Sequence, residues 1–115
     1  MPEQDAPRSL RVVIEETEHH TVVQCHGYVI SGLSDHLYTK VRPLIPHKKK
    51  IVLDLAEVKW MDSMGLGTLV GLYTSAKGHG CELELRHIGK RVRELLGLTH
   101  LLDVFVIIGE RGVKM

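Results

Sequence analysis

A chain of 115 residues, 43% of them apolar, with 15 basic and 14 acidic side chains and a formal charge of +1, fits one globular domain and leaves no room for a second. The near-neutral balance excludes the long-range field that draws a protein to nucleic acid or to anionic membrane, and points instead to a specific protein or small-molecule partner. One Phe and one Trp exclude an aromatic interior, so the core must be built from Val, Ile and Leu.

Residues 1–9, rich in Pro and charge, read as a disordered leader ahead of a domain spanning 10–115. The apolar run Leu10 to Ile14 and the β-branched run Thr21 to Cys25, separated by Glu15-Glu16-Thr17-Glu18, predict a hairpin whose second strand ends at Gly27. Leu37, Val41, Leu44 and Ile45 then follow helical spacing from an N-cap at Ser34 or Asp35, with a kink expected at Pro43 and an end at Pro46. Lys48-Lys49-Lys50 reads as a solvated loop before the next strand.

Ile51-Val52-Leu53-Asp54-Leu55 is a short, nearly continuous apolar run suited to a central strand with parallel neighbours. Lys59 to Gly67 joins it to a second helix marked by Leu66, Leu69, Val70 and Tyr73 and stopped by Gly78-His79-Gly80. Cys81 to Arg86 alternates as a half-buried strand does. Val92, Leu95 and Leu96 fit a third helix ending at Gly97, and Val104 to Ile108 closes the pattern as a strand. The fold class is therefore α/β: a mixed central sheet of about five strands with helices mainly on one face.

Cys25 and Cys81 form no CxxC pair and follow no secretory leader, so both are expected reduced and buried. No stretch approaches the roughly 18 apolar residues of a membrane span, and the expected location is cytoplasmic, without membrane insertion. The eight histidines fall in neither HExxH nor a Cys/His finger spacing, so no metal and no cofactor is expected, and His19-His20 belongs to the hairpin turn. Gly65-Leu66-Gly67 followed by Gly71 is not a nucleotide loop, and nothing like Gly-x-Ser-x-Gly surrounds Ser63, so no catalytic residue is assigned.

The chemistry concentrates where the central strand meets the second helix. Asp62 and Ser63 fall at a helix N-terminus, where unpaired N–H groups and the macrodipole favour negative charge, so a phosphoryl group on Ser63 would be locally tolerated. Gly65 and Gly67 weaken the first turn, which either lets another protein approach the backbone or serves close helix-to-sheet packing. Asp and Ser are also the commonest structural N-caps, so these residues alone leave both readings open.

Met61-Asp62-Ser63-Met64-Gly65-Leu66-Gly67 resembles the Asp-Ser-[Ser/Thr]-Gly-Leu-Gly signature of the STAS anti-sigma-factor antagonists. The likeness extends to the strand at Ile51 to Leu55, the strand at Gly80 to Leu83 and the helix at Val92 to Leu98, and so covers most of the chain from Leu10 to Ile108. The resemblance implies a non-enzymatic switch in partner switching during stress response or sporulation. Its serine, here Ser63, would be phosphorylated by an anti-sigma factor with serine kinase activity and dephosphorylated by a PP2C-type phosphatase. Met61, Asp62, Ser63, Met64, Gly65 and Gly67, with Tyr28 and Ser31 on the preceding loop, would meet the partner. A scaffold subunit of a signalling assembly and an accessory subunit of a lipid transporter are the alternatives the fold implies, and a homodimer stays open.

Two departures from the family pattern stand out. Met64 replaces the second hydroxyl residue, and Gly27-Tyr28-Val29-Ile30-Ser31 lacks the acidic residue that many antagonists carry in this loop. Gly109-Glu110-Arg111-Gly112 does not read as the further C-terminal helix common in the family, so the expectation is that either one sheet face is less covered or a partner supplies the missing layer, and an uncovered apolar face would favour self-association.

Overall fold

The computed structural model describes residues 7–18 and 20–100, and the backbone of 106–108. Most of the expected leader, His19, the start of the last expected strand and the segment 109–112 lie outside the described residues. Two strands, β1 (Leu10–Glu16) and β2 (Thr21–Val29), form the antiparallel hairpin, with Leu10 opposite Gly27 and Glu16 opposite Thr21. Thr17 closes its turn: its hydroxyl donates to the His20 carbonyl at 2.6 Å and accepts from the His20 N–H at 3.1 Å. The following strands, β3 (Lys50–Met61), β4 (Glu82–Arg86) and β5 (Val106–Ile108), add in parallel, so strand order across the sheet equals order along the chain.

Three helices make the crossovers: α1 (Ser34–Val41), α2 (Ser63–His79) and α3 (Lys90–Leu98). Val23, Cys25, Leu53, Leu55 and Leu85 on the sheet form one buried cluster with Leu37 and Val41 of α1, Leu69 and Leu72 of α2, and Val92 and Leu96 of α3. The helices therefore share one face of the sheet, as expected, and the described core is aliphatic. Both thiols are free and buried, and burial pushes the Cys25 thiol up to about 12, assisted by the charge of Asp54. On the opposite face the register aligns Val22, Val52 and Glu84, all buried, with the Glu84 carboxylate 3.1 Å from the Lys50 ammonium.

Several expected boundaries shift for physical reasons. Gly27 does not end β2; with φ at +118° it sits at a register irregularity, and the strand runs on to Val29. No side chain of Ser34 or Asp35 caps α1. Leu33 is the N-cap, and the N–H groups of Leu33 and Ser34 both donate to the Ile30 carbonyl, at 2.9 and 2.8 Å. The α-helix ends before Pro43, and the chain tightens into a 3-10 helix over Arg42–His47, with Pro43 in its first turn, where a missing N–H is cheap, and Pro46 inside it.

The lysine run is not simply solvated: Lys48 pairs with Glu16 at 3.1 Å, and Lys50 lies inside β3 beside Glu84. The largest revision concerns β3, which continues through Ala56 to Met61 where a connecting segment was expected from Lys59. Two extra residues bulge out of its pairing with β2, and the Ala56 N–H folds back onto the Asp54 carboxylate at 3.0 Å. The strand thereby delivers its last residue directly to α2.

A methyl group added at Gly27 would meet the Ser9 carbonyl oxygen, which accepts from the Tyr28 N–H at 2.9 Å, and φ there is unfavourable for any L side chain. Gly27→Ala is expected to cost about 2–3 kcal/mol in urea unfolding. An unchanged midpoint would show that the bulge does not need glycine.

Candidate functional site

Met61 closes β3 fully buried, Asp62 is extended at φ −109° and ψ −175°, and Ser63 is the first residue of α2. An extended N-cap aims its side chain back over the first helical turn, and the Asp62 carboxylate uses this position twice. One oxygen accepts from the Gly65 N–H at 2.9 Å, and the other accepts from the Ser31 N–H at 2.9 Å on the β2–α1 loop. The Asp62 N–H in turn donates to the Val29 carbonyl at 3.3 Å. Partial burial raises the Asp62 pKa, but N–H groups of Ser31, Gly65 and Met64 outweigh it and hold the carboxyl below its ordinary value of 3.8. Asp62 is thus an engaged anion that ties a loop to a helix.

Ser63 is exposed, and its hydroxyl makes no hydrogen bond to a described residue. Around it Met64 is 58% exposed, while Ser31 and Gly67 are exposed too. Asp62 brings Ser31 to the helix start, whereas Tyr28, half-buried, sits one strand over as the register partner of Trp60. Two residues expected at the surface are not there. Met61 belongs to the core, and Gly65 is buried with no space for a side chain, because an added methyl would meet the Val29 carbonyl oxygen and the Met61 side chain. Packing, not partner access, explains Gly65, while Gly67 faces open space.

Sequence reasoning missed Trp60 and Arg91. Trp60 is 46% exposed, and the Arg91 guanidinium lies 4.2 Å from its ring centroid while Arg91 Nε donates to the Met61 carbonyl at 3.0 Å. A cue existed: Lys90, Arg91 and Arg93 crowd the N-terminal turn of α3, against the helix dipole, with no acid there to balance them. Arg91 joins α3 to the β3–α2 junction.

Comparison with known proteins agrees with this architecture. Residues 11–112 match the profile of one family, the STAS domain. The anti-sigma-B factor antagonist of Bacillus subtilis (strain 168) is 28% identical over 99 residues, covering 86% of this chain and 91% of that protein. An anti-sigma factor antagonist from Mycobacterium paratuberculosis superposes with a TM-score of 0.77 at 21% identity, over 86% of this chain and 85% of its own. The Bacillus cell fate determinant SpoIIAA in its phosphorylated form superposes with a TM-score of 0.69 at 16% identity, over 88% of this chain and 94% of its own. No helix among the described residues is long and apolar enough to cross a membrane.

Because its pKa is lowered on folding, Asp62 contributes stability at neutral pH that is lost as pH falls below 3.8 and through the depressed value. Asp62→Ala is expected to cost about 1–2 kcal/mol at neutral pH, and the gap from the parent protein should close under acid. A gap that stays constant across that titration would separate the cap from the stability.

The two glycines should part company. Gly65→Ala is expected to lose about 2–3 kcal/mol, whereas Gly67→Ala should gain up to about 1 kcal/mol from helix propensity alone. Thermal melts in which both substitutions shift Tm the same way would contradict this packing.

Proposed function

The chain belongs to the STAS domain family, and we propose that it acts as an anti-sigma-factor antagonist whose partner binding is switched by phosphorylation at Ser63. The observation that carries this reading is the position of Ser63: exposed, without a hydrogen-bonded partner among described residues, and first in a helix that Asp62 caps independently. The likeness to the antagonist of Bacillus subtilis, along 86% of this chain, supplies the class of partner. SpoIIAA, related to this chain in fold, exists in a phosphorylated form.

In this reading the domain, residues 10–115, is cytoplasmic and binds rather than catalyses. An anti-sigma factor with serine kinase activity docks over Ser63, Met64, Gly67 and Ser31, with Tyr28 at the margin and the Asp62 carboxylate beneath. Its kinase activity transfers phosphate from ATP to the Ser63 hydroxyl, releasing ADP, and a PP2C-type phosphatase hydrolyses the ester. A phosphate adds about −1.5 to −2 charges and a tetrahedral bulk at the middle of that surface, which excludes the partner by sterics and desolvation. No refolding is required, since Met61 and Gly65 hold the helix start to the sheet from below.

Incubation of the protein with an anti-sigma kinase and ATP, followed by mass spectrometric mapping, should place the label on Ser63, and Ser63→Ala should abolish it. Ser63→Asp should weaken partner binding at least about tenfold, or about 1.4 kcal/mol, while Tm stays nearly unchanged, because Ser63 is exposed and its replacement disturbs no packing. Label at another residue, or equal partner affinity for the parent protein and the Asp variant, would remove the assignment.

A further inference from the structure

Across the end of the sheet next to Ser63, cations and aromatic rings alternate. The Arg8 guanidinium lies 5.4 Å from the Tyr28 ring centroid, Tyr28 is the register partner of Trp60, and Arg91 stacks on Trp60 at 4.2 Å. Lys59 joins Arg8, Tyr28 and Trp60 around an open concavity of about 320 Å³. Its described lining contains no acid. Asp54 and Glu57, the acids of β3, border a separate depression with Gln24 and His26, and Asp62 is engaged by two N–H groups.

Among the described residues, Arg8, Lys59 and Arg91 make no ion pair. A guanidinium stacked on a ring uses its face and keeps its edge of N–H donors, which match a carboxylate two at a time. Arg91 fits this description closely, since Nε is fixed by the Met61 carbonyl and the two terminal amino groups remain. Two guanidiniums stacked on aromatic rings and Lys59 beside them, with Trp60 46% exposed and Met64, four residues on, 58% exposed, form a surface complementary to negative charge mixed with apolar side chains.

We propose that this surface docks an acidic segment of the partner protein, its carboxylates meeting Arg8, Lys59 and Arg91 while an apolar side chain covers Trp60 and Met64. The inference rests on the reading that a partner binds around Ser63, and it specifies the chemistry of that partner. Arg91 is bonded to the carbonyl of Met61, two residues before Ser63, so the proposed surface adjoins the switch residue along the chain.

Trp60 is the only tryptophan of the chain, so intrinsic fluorescence reads the surface directly. Titration with a synthetic octapeptide alternating Glu and Leu should give a saturable change that weakens as NaCl rises. The Lys and Leu counterpart should give none. The double variant Arg8→Ala/Lys59→Ala, which leaves Trp60 and Arg91 in place, should bind the acidic peptide about tenfold more weakly. No saturable response, or an equal response to the basic peptide, overturns the proposal. So does an equal response to a DNA duplex or to phosphatidylglycerol vesicles at matched charge, which would describe a general polyanion surface.

The two readings fail separately. If Ser63→Asp abolishes partner binding while the acidic peptide never binds, the switch stands and this docking surface falls. If the peptide binds as described while kinase labels another residue, the surface stands and the switch at Ser63 falls.

Discussion

The arrangement around Ser63 depends on the Asp62 carboxylate. Its two oxygens take N–H groups from two different elements, Gly65 in the first turn of α2 and Ser31 in the loop leaving β2. Each bond is ordinary in length, but together they hold two chain segments 31 residues apart against one anchor. An ionised acceptor makes such bonds stronger than neutral ones, and the same bonds hold the carboxyl below its ordinary value. Without that anchor the border between the loop and the helix start would rest on packing and on the Asp62 N–H bond to the Val29 carbonyl.

Packing supplies the second constraint from below. The backbone of α2 approaches the end of β2 so closely at Gly65 that the Val29 carbonyl and the Met61 side chain occupy the space a methyl would need. The heptad from Met61 to Gly67 is therefore divided by direction. Met61, Gly65 and Leu66 are buried, Asp62 lies between, and Ser63, Met64 and Gly67 face outward. A motif that reads as one functional unit is half scaffold and half surface.

Much of this fold was legible because its elements carry strong local signals. β2 and the first half of β3 are runs of Val, Ile and Leu, and α2 shows apolar residues at helical spacing with Gly80 as a left-handed C-cap at φ +69°. The second half of β3 was not legible, since Ala56 to Trp60 is mostly exposed and two bulges break the period of two on which strand reading depends. α1 was misjudged in how it starts and stops: its N-cap contributes no side chain, and after Pro43 the spacing of Leu44 and Ile45 survives in a tighter helix. Gly65 and Gly67 look alike in sequence because openness is decided by what packs opposite, which the heptad does not contain. Arg91, which reaches Met61 from 30 residues away, could have been suspected only from the charge against its helix dipole.

The same geometry revises the electrostatics expected at the helix start. A helix N-terminus was expected to tolerate a phosphate through its unpaired N–H groups, yet the Asp62 carboxylate already occupies the Gly65 N–H and draws on that of Met64. Little of the positive end is left to bind a second anion inward. A charged group on the exposed Ser63 would therefore meet solvent, with the neighbouring Asp62 carboxylate repelling it. That exposure favours a modification read by partners over one absorbed by the fold. In the proposed switch Met64, 58% exposed, would add to the effect, because an apolar side chain next to the hydroxyl would offer a phosphate no hydrogen bond while offering a partner an apolar contact.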